Sequence, residues 1–308
     1  MTDGAVHVGF IGLGHMGHGM AVNILKRGFR LRVMAHRNRK AVDDLIHRGA
    51  QEVPTAKALA ASCDIVLLCV PGAKEVEALV TGDDGLAAGS RAGLTVVDCT
   101  TSDPSTLLRL AAEYAPRGLV FVDAPLGRSP NEAWQGALST MVGGELSTLE
   151  RIRPVLAAFA TTIQHAGALG DGHRLKLVNN LISLGYAALY SEALALTVKS
   201  GLDAASFDIL MRSSRMHCPF YDTFIGWVVS GDRQSHPYAL DDALRTISDV
   251  VQFSWSVRMN GRLASSVREI YAEAVANGFS AAMLPELPRA VAKANDIDLK
   301  PAFDGALR

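Results

Sequence analysis

The sequence predicts an α/β chain in two parts, a doubly wound N-terminal domain followed by an all-helical one. Three observations predict it. From Val6 to about His165, short β-branched or apolar runs alternate with helix-length segments. The runs are apolar on both faces, as in a mostly parallel sheet covered on both sides. After Gly172 the strand signals almost vanish and helical stretches are punctuated by "SGLD", "HCPF", "SGDRQSHP" and "NGFS". A length of 308 residues also favours two domains over one. The expected division is 1–166 and 167–308.

The strand candidates, in order, are "VHVGFIG", "RLRVMA", "DIVLLCV", "GLTVVDC", "GLVFVDA", "STMVGG" and "TTIQHA". Between the first two lies Gly12-Leu13-Gly14-His15-Met16-Gly17, a G-x-G-x-x-G element that leaves a strand and enters the helical pattern "HGMAVNILKRG". In that context Gly12 makes a tight turn, Gly14 lets the backbone approach a pyrophosphate and Gly17 permits close helix packing. The free amides and positive end of the helix then hold phosphates. About 20 residues further on, where an NAD site places a carboxylate on the ribose, the chain reads Ala35-His36-Arg37-Asn38-Arg39-Lys40. Cations in place of a carboxylate favour a 2′-phosphate, with Arg37 as leading ligand and Arg39 assisting. NADP(H) is therefore expected over NAD(H), the alternative being that these residues form a solvated helix start.

Lys+Arg number 30 against 31 Asp+Glu, so no net field recruits nucleic acid or an anionic membrane. Cys63, Cys69, Cys99 and Cys218 form no CxxC pair and have no histidine at zinc spacing, so neither a disulfide framework nor a metal site is expected. The chain enters its first strand without a leader-like segment, and the apolar run "IVLLCV" is too short to span a bilayer; a cytoplasmic setting is expected.

The stretch "GHRLKLVNN" opens a helix whose continuation, "LISLGYAALYSEALAL", is apolar on nearly every side. Such a helix is normally central and buried. Lys176, Asn180, Ser183 and Ala187 share one line along it. A lysine is rarely buried without a partner, so Lys176 either snorkels outward or faces a polar cavity. In a cavity, desolvation lowers its pKa towards neutrality, which suits a proton donor to a developing alkoxide. Asn180 would orient the substrate hydroxyl or the lysine. Asn179 points elsewhere, and His173 reads as a capping or hydrogen-bonding residue at the helix start.

Four motifs in order carry a resemblance: "GFIGLGHMGHGMAVNILKRG" with Met16 and Asn23; Asp98-Cys99-Thr100-Thr101-Ser102-Asp103-Pro104; Asp123-Ala124-Pro125-Leu126-Gly127-Arg128-Ser129 followed by "GALSTMVGG"; and "GHRLKLVNN". Together they resemble the β-hydroxyacid dehydrogenase family, which includes 3-hydroxyisobutyrate dehydrogenase, tartronate semialdehyde reductase and sulfolactaldehyde reductase. The resemblance runs from about Val6 through Gly201 and more weakly to the end. It implies a Rossmann domain joined by one long helix to a helical domain, and a homodimer or homotetramer. It also implies reversible hydride transfer between nicotinamide and a short, acidic hydroxy substrate or its semialdehyde.

By the same resemblance, Lys176 is the acid/base, with Asn180 beside it. Thr100, Thr101, Gly127, Arg128 and Ser129 meet the substrate, and Val70, Pro71, Thr100 and Arg245 join the glycine loop at the cofactor. Arg128 stands in a loop where most members read Ser-Gly-Gly, and this variant is similar to sulfolactaldehyde reductases, in which the arginine meets a sulfonate. A solvated loop arginine is the plain alternative. Arg245 stands where many members have lysine in a Lys-Asp pair. Two other outcomes follow from the architecture: a cofactor-sensing protein without turnover, disfavoured by Lys176 and Asn180, and an imine reductase, a class that usually lacks this lysine.

Overall fold

The computed structural model describes residues 6–35, 39–300 and 302. Contacts divide it into two compact units, one ending at Lys176 and the other beginning at Leu177.

The first unit opens with β1 (His7–Ile11), α1 (His15–Lys26), β2 (Arg30–Met34), α2 (Arg39–His47), β3 (Gln51–Val53), α3 (Ala56–Ser62) and β4 (Ile65–Leu68). It continues through α4 (Ala73–Thr81), α5 (Leu86–Gly89), β5 (Thr95–Asp98), α6 (Pro104–Tyr114), β6 (Val120–Asp123) and β7 (Leu126–Gly127). Then come α7 (Pro130–Gln135), β8 (Leu138–Gly143), α8 (Leu146–Leu156), β9 (Ala160–Gly167) and the start of α9 (Asp171–Lys199). The strands form one sheet ordered β3-β2-β1-β4-β5-β6-β8-β7, with β9 on β8. Strands β1 to β6 pair in parallel, whereas β8 runs antiparallel to β6 and β7.

Period-two alternation explains why both faces are covered. Leu67, Val97 and Val122 enter one apolar cluster, while Val66, Leu68, Val96 and Phe121 enter the other. Each such side chain contributes about 1.5–3 kcal/mol on burial, which accounts for strands that read as unbroken apolar runs. All seven strand candidates form strands. The sequence pattern missed β3 and β7, of three and two residues, because neither is long enough to display a period.

The second unit holds the rest of α9 with α10 (Ala204–Ser213), α11 (Pro219–Phe224), α12 (Gly226–Ser230), α13 (Leu240–Ser256), α14 (Arg262–Ala274) and α15 (Leu287–Ala294). Leu177, Leu184, Ala187 and Leu194 of α9 pack with Tyr221, Phe224, Ile247, Tyr271 and Leu287. The Tyr271 hydroxyl donates to the Leu184 carbonyl at 3.1 Å, and Tyr221 to Asp208 at 3.0 Å.

The first turn of α9 is bound to the sheet, which carries the first compact unit on to Lys176: Asp123 accepts the Gly170 and His173 N–H groups, both at 2.7 Å. The expectation that α9 is buried all round fails. Leu175, Val178, Ile182, Tyr186 and Leu189, three or four residues apart, form an exposed stripe. A helix that is apolar on every side carries no mark of which side its own chain will cover. By length and mean hydropathy (1.4) α9 would also suit a bilayer, contrary to the reading based on "IVLLCV"; 39% of its apolar stretch is buried within the protein.

Candidate active site

The glycine loop sits at the C-terminal end of β1, where its conformation is dictated by contact. Gly12 has φ +99°, and a Cβ there would lie 2.1 Å from the Cys69 carbonyl oxygen. A Cβ on Gly17 would lie 2.0 Å from the Gly12 oxygen. At Gly14, by contrast, a Cβ would enter open space. Gly14 caps α1 with no side-chain hydrogen bond, and no acidic residue occupies the first turn. Leu13 is buried in the core, His15 is exposed and Met16 half-buried. Open space before uncapped helical amides fits the pyrophosphate of a dinucleotide.

A chain of contacts runs from this loop along the strand ends. Val70 lies against Gly12, 3.1 Å from where its Cβ would be. The Val70 N–H donates to Thr100 Oγ1 at 3.3 Å, and the Thr100 N–H donates to Asp98 Oδ1 at 2.9 Å. Asp98 Oδ2 faces His173 Nε2 at 3.7 Å, both side chains being buried. Burial pushes the Asp98 carboxyl up, and the histidine opposes that rise. Pro71 is exposed and Thr101 half-buried beside these residues.

Lys176 follows one turn after His173 on α9. It is half-buried, and removal of water around its ammonium pushes its pKa down to about 8. An amine poised near neutral pH can donate or accept a proton at modest cost. Asn180, a further turn along α9 and buried, belongs to the second unit, where its carbonyl accepts the Ser183 hydroxyl at 3.3 Å.

The Gly127-Arg128-Ser129 loop is held from below. Asn23 Nδ2 donates to the Ala133 and Trp134 carbonyls at 2.8 and 3.1 Å, tying α7 to α1. A Cβ on Gly19 would meet Ala133 backbone at 2.8 Å, and one on Gly127 would meet Ser139 Oγ at 2.4 Å. Ser129 caps α7 in a reciprocal capping box with Glu132. Its hydroxyl is thus engaged in structure rather than presented to a ligand. Arg128 is exposed with φ 77°, a backbone region unusual for a non-glycine residue, and its guanidinium reaches the Ala137 carbonyl.

Arg37 lies outside the described residues. Arg39 is occupied by two carboxylates, Asp43 at 2.8 Å and Glu52 at 2.6 Å, which do not favour a further anion. Arg245, in the second unit, pairs with Asp242 at 2.6 Å. The first unit therefore assembles the glycine loop, Val70, Thr100 and the turn bearing Lys176, linked through His173, expected from the sequence to be a capping or hydrogen-bonding residue. His173 does not cap with its ring; the cap is Asp123. The available signal was the three-residue spacing from Lys176, which places both on adjacent turns of one face.

Residues 7–167 match the family model for the NAD binding domain of 6-phosphogluconate dehydrogenase. The chain is 39% identical to 3-hydroxyisobutyrate dehydrogenase of Pseudomonas aeruginosa over 214 residues, 70% of each protein. It is 30% identical to 3-sulfolactaldehyde reductase of Escherichia coli over 277 residues, 88% of this chain and 91% of that one. The solved structure of Psf3 in complex with NADP+ and 2-OPP superposes with a TM-score of 0.80 at 26% identity, covering 92% of this chain and 99% of the other. The shared strand order, the glycine loop and these similarities converge: the chain belongs to the β-hydroxyacid dehydrogenase family, nicotinamide-dependent oxidoreductases acting on CH–OH groups.

Proposed function

We propose that the protein is an NADP(H)-dependent β-hydroxyacid dehydrogenase that interconverts a short, acidic semialdehyde and its alcohol, with Lys176 as the general acid/base. The observation that carries this reading is a lysine with its pKa lowered to about 8, on a helix turn anchored to the strand ends that also carry Thr100. Residues Gly12 to Gly17 would hold the dinucleotide phosphates, with Val70 and Pro71 beside the ring. When bound, the reduced nicotinamide supplies a hydride to the carbonyl carbon. Lys176 Nζ gives its proton to the carbonyl oxygen as negative charge develops there, and takes it back in the oxidative direction. Thr100 and Thr101 orient the substrate oxygen, and Asn180, one turn beyond Lys176 on α9, holds the lysine side chain. The preference for NADP(H) rests on the absence of a carboxylate after β2 and on Arg37; the pairing of Arg39 leaves it a minor contributor.

Arg128 supports a narrower reading, reduction of a sulfonated aldehyde. It is an exposed guanidinium on the loop between β7 and α7, and its left-handed backbone aims a side chain from a position where most residues are strained. This reading includes a cytoplasmic setting and a homodimer or homotetramer, supported by the exposed stripe of α9; light scattering of the purified chain tests the assembly.

The deciding experiment measures NADPH and NADH turnover with 2-hydroxy-3-oxopropionate and 3-sulfolactaldehyde, and the reverse reaction with 3-hydroxyisobutyrate. Lys176→Ala should bind cofactor normally and lose roughly 10²–10⁴-fold in kcat. Full turnover in that variant refutes the assigned acid. A larger loss for the sulfonate than for the carboxylates in Arg128→Ala supports the arginine clamp, and equal rates on every anion sink it.

A further inference from the structure

His173 is completely buried, yet neither ring nitrogen has a hydrogen-bond partner among the described residues, and Asp98 Oδ2 is equally unpartnered. Buried polar groups are almost always hydrogen-bonded, so three orphans in one place need a reason. The geometry supplies one. Nε2 and Oδ2 stand 3.7 Å apart, beyond a hydrogen bond but within reach of an ion pair. An imidazole N–H that faces a carboxylate across that gap is attracted to it in surroundings that screen little. We propose that His173 is a positioning residue for the reaction: paired with Asp98, it latches the Thr100 loop to the helix turn that carries Lys176.

The two ends of the latch are fixed. On one side, the other oxygen of Asp98 accepts the Thr100 N–H, and Thr100 Oγ1 in turn accepts the Val70 N–H from the segment after β4 beside the glycine loop. On the other, the His173 backbone N–H is bound by Asp123 of β6, which lies in register with Asp98 of β5. The charged groups facing the imidazole from the sheet are thus Asp98 and Asp123; Asp171, Arg174 and Lys176 share its helix, and Cys69 and Cys99 stand near Asp98.

This inference rests on Thr100 and Lys176 serving the reaction as proposed above. In aldehyde reduction the latch sets where Lys176 Nζ stands relative to the Thr100 hydroxyl, so its loss lowers kcat without weakening cofactor binding. With NADPH and 2-hydroxy-3-oxopropionate, His173→Leu, which cannot pair with Asp98, should lose about tenfold in kcat at neutral pH, and His173→Gln, whose amide can still donate to Asp98, should recover most of that loss. The NADPH dissociation constant should be unchanged in both variants. Wild-type kcat in His173→Leu overturns the latch, as does an equal loss in the two variants, which marks a merely structural role. Should His173→Leu fail to fold, Asp98→Asn decides from the other side: a loss of about tenfold in kcat with cofactor affinity kept supports the latch, and wild-type kcat overturns it. Wild-type turnover in Lys176→Ala would refute the assigned acid, an outcome separate from either result at His173.

Discussion

Replacing Lys176 by Met should make the protein inactive and, at neutral pH, more stable. Burial lowers the folded-state pKa of this lysine from 10.5 to about 8, with desolvation as the cause. Below pH 8 both folded and unfolded chains carry the proton, and the folded chain bears the whole cost of a poorly hydrated ammonium. Between about 8 and 10.5 the unfolded chain binds more protons, so this contribution to stability improves as pH rises through that window. A shift of about 2.5 units corresponds to about 3 kcal/mol as an upper value. Lys176 as a whole keeps part of its surface in water, and that remaining hydration together with relaxation of the surroundings reduces the figure to ~1–2 kcal/mol. Methionine keeps the unbranched stem and removes the charge. Thermal unfolding at pH 7 should then show Lys176→Met melting about 2–6 °C above the wild type, the difference shrinking by pH 9.5 and gone above 10.5. A variant that melts below the wild type at pH 7, or by the same margin at both pH values, would refute the desolvated-lysine argument.

Gly17→Ala places a methyl 2.0 Å from the Gly12 carbonyl, so the loop must move and cofactor affinity should collapse; fluorescence titration with NADPH reads the loss directly. Gly14→Ala meets open space in the protein, so it should fold as the wild type does while still weakening cofactor binding. Ser129→Ala removes the α7 capping box and should cost about 1 kcal/mol in denaturant unfolding, with little change in substrate KM if the hydroxyl is structural. Asn23→Ala should be more severe, because its amide joins α1 to α7: the Trp134 carbonyl loses this donor, and the Ala133 carbonyl keeps only the Gly136 N–H at 3.4 Å.

Much of the molecule was legible because it depends on short-range chemistry. The strands of the sheet announce themselves as apolar runs, and "GLGHMG" needs only its neighbours to make a turn at φ +99°. Lys176 stood out because its helix offered no other reason for a cation. Other features depended on which distant groups meet. Nothing near Arg39 in sequence shows that Asp43 and Glu52 will occupy its guanidinium together, and Glu52 lies on an edge strand too short to detect. Ser129 matched a ligand-binding position, but the structure turns its hydroxyl to Glu132.

The sequence alone determined the doubly wound domain, the dinucleotide loop, the reaction class and the lysine, since each follows from local periodicity, backbone demands of glycine or a motif contiguous in the chain. Only the tertiary structure decided that α9 leaves a stripe exposed, that the first compact unit extends to Lys176, and that His173 meets Asp98 across 75 residues of chain. Those outcomes depend on how strand ends and helix starts are brought together, and burial, which sets the charge cost at Asp98 and Lys176, exists only once that packing is complete.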